Sequence, residues 1–193
     1  NNTGKFPSLG SIVGQQRGPR ELGMPAYVSV PVASSIGLRP GYFGANWLGV
    51  QYDPFQTGGD PNNKDFKIQS LDLAAGLSIS RLDDRHDLLS RLDRISRQVD
   101  STGLFDAMDQ FDQEALEFVS GERARQAFDI NAEDNQTRDQ YGRHNWGQST
   151  LLARRLVEAG STFVTVHFGG WDNHWDMQSA MDSYLPRVDS AVS

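Results

Sequence analysis

Proline is spread so unevenly along the 193 residues that it divides the chain before any motif is considered. Residues 1–63 hold 7 of the 8 prolines and 11 of the 19 glycines, and residues 76–160 hold no proline at all. Proline lacks the N–H that a helix interior needs, and glycine loses the most backbone freedom on ordering. The first third therefore reads as irregular and the middle as helical. Charge follows the same division, +1 over residues 1–63 and −8 over the remainder, so one face of the helical part is strongly acidic.

A net charge of −7 and a pI near 5.0 leave no basic face able to hold a phosphate backbone, which excludes nucleic acid as the expected partner. No run approaches the roughly 18 to 20 apolar residues that span a bilayer. The start, Asn1-Asn2-Thr3-Gly4, has neither a basic nor an apolar leader segment, so no membrane segment and no export signal are expected in this chain. The absence of cysteine excludes a disulfide framework, a thiolate metal site and a cysteine nucleophile, and leaves the redox compartment open. With 37% hydrophobic residues the chain can build one domain with a real core.

In the first third, Ala26 to Val32 reads as a strand between Pro25 and Pro31, rich in β-branched and aromatic residues. Residues 37–63 read as a long covering loop pinned by Tyr42, Phe43, Trp47, Tyr52 and Phe55. Helical spacing follows from Ser80 through Leu82, Leu89, Leu92, Ile95 and Val99, and from Leu104 to Ser120 on Phe105, Met108, Phe111, Ala115 and Phe118, with Gly121 as the stop. Shorter helices are predicted over 122–128 and 132–141, and a stronger one over 147–159 that ends at Gly160. Residues 161–168 are nearly continuously apolar and β-rich, as expected of an interior strand covered on both faces. A further helix carries Met177, Met181, Tyr184, Leu185, Val188 and Val192, with Pro186 opening a new helix after a break. Because apolar spacing still runs at Ser193, a longer parent protein is expected.

The run with most chemical content is Gly169-Gly170-Trp171-Asp172-Asn173-His174-Trp175-Asp176, directly after the apolar strand. In open α/β sheets ligands bind beyond the carboxyl ends of strands. A hard carboxylate oxygen on Asp172 and an imidazole nitrogen on His174 suit a borderline divalent ion. The plainer reading has Asp172 accepting turn amides and His174 as a surface residue, and spacing alone favours it, since two ligands cannot hold a catalytic ion. His167 reads as a hydrogen-bonded core histidine, His86 as solvated, and His144 with Arg143 as a capping loop or an anion contact at a helix N-terminus. Tyr42, Trp47, Tyr52, Trp171 and Trp175 could together form a carbohydrate-binding surface. Signatures of serine hydrolases, P-loop enzymes, dinucleotide sites and H-E-x-x-H metalloproteases are all missing.

Several blocks taken together resemble one bacterial family. They are Pro7-Ser8-Leu9-Gly10-Ser11, Pro25-Ala26-Tyr27-Val28, Gly41-Tyr42-Phe43-Gly44 with Tyr52-Asp53-Pro54-Phe55, Arg123 through Asp129, Arg138 with Tyr141-Gly142, Leu151 through Gly160, and Gly169 through His174. In order and spacing this pattern resembles the domain of unknown function 1501, a family grouped with alkaline phosphatases and sulfatases. The resemblance implies an α/β fold: part of an alkaline-phosphatase-like doubly wound sheet, a single partial domain over 1–193 truncated at both ends, with a helical insertion over 80–142. It further implies a metal-dependent phosphate or sulfate ester hydrolase using zinc, manganese or calcium, with Asp172 and His174 among the metal ligands and a small-molecule or glycan ester as substrate. The superfamily usually spaces these ligands D-x-x-x-H, the family usually has Thr where Asn173 stands, and the superfamily's nucleophile has no counterpart here. The segment alone is therefore expected to be catalytically silent. A periplasmic or extracellular address is implied by the same resemblance. The alternative is a non-catalytic exported binding or structural protein that kept the fold.

Overall fold

The computed structural model describes residues 6–33, 42–68, 71 and 114–193. The helix expected from Ser80 and the first part of the one expected from Leu104 lie outside the described residues, as does His86. Of the expected helical insertion, residues 114–142 are described, and they are helical over 114–120, in α2 (Glu122–Phe128) and in α3 (Asn135–Gln140).

Helix α1 (Leu9–Arg17) is an addition to the sequence reading, which had the first third irregular apart from one strand. Ser8 starts it, its Oγ accepting the Ser11 N–H at 3.1 Å, which satisfies one of the free donors of the first turn. Gly10 and Gly14 weaken its intrinsic propensity, but they are what lets it lie close to the sheet. A Cβ at Gly10 would clash with the Tyr27 ring, 2.5 Å from its Cζ.

Strand β1 (Tyr27–Val30) stops before Pro31, which has no N–H to continue a ladder. It is the middle strand of a parallel sheet of order β2-β1-β3, with β2 (Phe55–Gln56) and β3 (Phe163–Val166) on its two sides. Val28 pairs with Phe55 and with Val164, and Val30 with Val166. Two expectations are corrected here. Residues 37–63 are not all loop, since β2 lies within them. β3 is the outer neighbour of β1 among the described residues, with every residue half-buried, rather than an interior strand covered on both faces.

Alternation along β1 sends Tyr27 toward α1 and Val28 and Val30 to the opposite face. There they meet Leu151, Leu152 and Leu156 of α4 (Asn145–Ala159), together with Phe66, Phe128 and Ile130. Helices thus cover both faces of a parallel sheet, the mixed α/β arrangement that parallel strands require. Phe55 is pinned edge-on to Phe118 at 4.8 Å and to Phe128 at 5.5 Å, so α2 and the segment before it close the same core.

Helix α4 ends at Gly160, whose φ of 119° no side chain adopts without strain, and Ser161 N–H bonds back to Leu156 O at 2.9 Å. Helix α5 (Met177–Val192) packs along α4 and runs through Pro186 without the expected break. Pro186 is exposed, so the helical bond it cannot make leaves a carbonyl that water can reach. Among the described residues no helix is long and apolar enough to cross a membrane.

Candidate functional site

Three parallel strands place their carboxyl ends along one edge of the sheet, and the segments leaving them start at Pro31, Thr57 and His167. A cleft of about 740 Å³ opens there after β2, lined by Thr57, Gly58, Asp60, Lys64, Phe66 and Ile68 among others. Neither Asp172 nor His174 lines it. Those two belong to the loop that follows β3. Gly170, at φ 91°, turns the chain there.

The turn is tied by Asn173, not by Asp172. Asn173 Nδ2 donates to Gly170 O at 3.2 Å, and its backbone N–H donates to Trp171 O at 3.1 Å. Asp172 is left free to meet His174, with Oδ1 and Nε2 3.1 Å apart. Both side chains face solvent, 89% and 72% exposed respectively, so water screens their attraction and the pair adds little to stability. Asp176 closes the loop by capping α5, its Oδ1 accepting the Ser179 N–H at 3.2 Å.

Two donors each about 2.1 Å from a common ion lie about 3.0 to 3.4 Å apart at bond angles between square and tetrahedral. The Asp172–His174 separation of 3.1 Å falls within that span. In number the donors fall short, because no group of three or more His, Cys, Asp or Glu residues capable of holding a metal exists among the described residues.

Beneath the loop lies an aromatic cluster that sequence reasoning did not assemble. Trp146, the second residue of α4, stacks with Phe168 at 5.1 Å and 19° and with Trp171 at 5.5 Å and 21°. Tyr184 of α5 touches both indoles, at 5.3 Å from Trp146 and 5.6 Å from Trp171. Of the five aromatic residues singled out from sequence, Trp171 enters this cluster. Tyr42 pairs edge-on with Phe43, and Trp47 and Trp175 stand 70% and 87% exposed.

A family model described as "Protein of unknown function (DUF1501)" matches residues 1–193. The chain belongs to the DUF1501 family. No curated protein and no solved structure matches it.

In this DUF1501 chain two further histidines, His144 and His167, lie among the described residues. His144 is the N-cap of α4: its Nδ1 accepts the Gly147 N–H at 3.1 Å, and Nε2 lies 3.2 Å from Ser190 Oγ on α5. The ring nitrogen that accepts a backbone N–H carries no proton, so Nε2–H donates to Ser190. The anion-contact reading of this loop is not supported, since Arg143 is turned to Asp139 and to Asn135 Oδ1, 2.7 Å away. His167, expected as a hydrogen-bonded core residue, is half-buried at the end of β3. Its backbone N–H donates to Val30 O at 2.8 Å, while its ring makes no hydrogen bond among the described residues.

Burial, and then the positive charge of Arg187, hold the His144 imidazole below its ordinary value of 6.5. A histidine kept neutral in the folded state contributes stability that is complete above about pH 6.5 and is lost as pH falls from there toward the folded value. Thermal midpoints are expected to decline as pH falls below about 6.5. They should decline less in His144→Asn, which retains a capping oxygen but does not titrate. Parallel curves for the two proteins would show that His144 does not govern this window.

Proposed function

We propose that the DUF1501 chain is a segment of a metal-dependent hydrolase of phosphate or sulfate esters, of the alkaline-phosphatase and sulfatase kind, in which Asp172 and His174 are two of the metal ligands. The observation carrying this reading is the approach of Asp172 Oδ1 to His174 Nε2 at 3.1 Å, on a loop at the carboxyl end of a parallel strand. The helix-covered parallel sheet is compatible with the doubly wound architecture the family resemblance implies. Zinc, manganese or calcium held there would neutralise charge on the transferring group and activate a nucleophile. Asp172 contributes a hard anionic oxygen and His174 a neutral nitrogen, while Asn173 fixes the turn that aims them. Further donors and the nucleophile would come from outside the described residues. The ester would be a small molecule or a glycan, and the parent protein would act in the periplasm or outside the cell.

A second reading, a non-catalytic exported binding or structural protein on the same fold, draws on the exposure of the pair and the shortage of donors around it. Calorimetric titration of the parent protein with zinc and with manganese separates the two. The hydrolase reading expects saturable binding that weakens about tenfold or more in Asp172→Ala and in His174→Ala. Equal binding by both variants, or none by the unaltered parent protein, would transfer the weight to the non-catalytic reading.

A further inference from the structure

We infer that Trp171 is the floor of a carbohydrate subsite that takes the pyranose ring of an uncharged oligosaccharide. This goes beyond the hydrolase reading and does not depend on it, since a sugar ring can stack on the indole whether or not an ion sits on Asp172 and His174.

The geometry of the cluster supplies the argument. Trp146 covers one face of Trp171, stacked at 5.5 Å and 21°. Tyr184 is about equally near to both indoles, at 5.3 and 5.6 Å, so it stands beside the stack and not on the outer face of Trp171. No further ring covers the other face of Trp171 among the described residues, and the residue is 42% exposed. Phe168, two residues past β3, stacks with Trp146 in turn and backs the platform. The ring is therefore held in one orientation before any ligand arrives, which lowers the entropy cost of binding.

A flat, rigid π-face attracts the weakly positive C–H edge of a sugar ring, and hydroxyls around that ring need polar partners. These stand next in sequence: the Asp172 carboxylate and the His174 imidazole are exposed, and Gly169 and Gly170 bring no side chain that would block approach. An aliphatic protein surface would have to desolvate that exposed pair while offering it no hydrogen-bond partner. The carboxylates of Asp172 and Asp176 disfavour sulfated or carboxylated sugars when no cation is present, which leaves neutral glycans as the class that fits.

The test is titration of the chain with chitohexaose, cellohexaose and mannohexaose, with and without EDTA, read by calorimetry and tryptophan fluorescence. Saturable binding of at least one is expected. It should weaken about tenfold in Trp171→Ala, be partly kept in Trp171→Tyr, and be unchanged in Trp47→Ala, whose ring is exposed elsewhere. The tyrosine variant carries the comparison if the alanine variant loses its circular-dichroism spectrum. No saturable binding up to about 10 mM would overturn the proposal. So would undiminished binding by both Trp171 variants, or a Trp171 effect confined to self-association in sedimentation. Binding that EDTA abolishes would reassign the ligand to a metal and overturn the ring platform while leaving the hydrolase reading intact.

Discussion

Gly147→Ala is expected to destabilise the chain by about 3 kcal/mol, enough to lower the thermal midpoint by roughly 10 °C. By propensity alone alanine would help the first turn of a helix. Position overrides it here, because a Cβ on residue 147 falls well inside van der Waals contact with the carbonyl oxygens of Tyr141 and Gly142. Both are backbone atoms of the turn leading into α4, so relief requires the start of the helix to move. That movement would break the Gly147 N–H bond to His144 and shift Trp146 off Phe168 and Trp171. Scanning calorimetry measures the loss, and a quenched or red-shifted tryptophan emission should accompany it. A variant as stable as the parent would mean that the turn and the helix can separate freely.

The second large effect is expected one residue further on. Gln148 is fully buried and occupied on both sides. Its Oε1 accepts from Arg138 Nε at 2.7 Å, and its Nε2 donates to the carbonyls of Arg138 and Gly142, each at 2.9 Å. Arg138 is itself buried, and burial, then the like charge of Arg143, lower its basicity; its other close partner is Asn131 Oδ1 at 3.0 Å. Gln148→Leu keeps the volume but orphans a cationic N–H and the Arg138 carbonyl, and leaves Gly142 O with the His144 N–H alone. About 3 kcal/mol of destabilisation is expected in denaturant titrations. Gln148→Glu divides the effect into parts: it restores an acceptor opposite Arg138, yet presents a carboxylate to two carbonyl oxygens. Full recovery in that variant would show that the carbonyl bonds contribute nothing.

Much of the scaffold was legible in the sequence, and the misses have identifiable physical causes. Helix α4 and its stop at Gly160 follow from apolar spacing and a glycine in the right place, because that helix is stabilised by the leucines that define its pattern. Helix α1 was hidden because it packs through small residues, Gly10 and Gly14, which carry no amphipathic signal. The apolar run ending in β3 identifies a strand but not how many strands flank it, which depends on contacts distant in the chain. Strand β2 is two residues long, too short for any periodicity. At the candidate site, Asp172 and His174 could be picked out because both follow the Gly-Gly turn after a strand. Trp146 comes from α4, Phe168 and Trp171 from the loop after β3, and Tyr184 from α5, and only the fold brings them together.

The loop after β3 is fastened at both ends to one rigid pair of helices. Trp146 grips its start through Phe168 and Trp171, Asp176 locks its finish onto α5, and His144 bridges to Ser190. These contacts oppose a flap-like swing of the segment and favour a standing ledge. A molecule reaching it meets a surface already shaped, so its arrival is timed by diffusion and orientation alone, with no opening step to wait for.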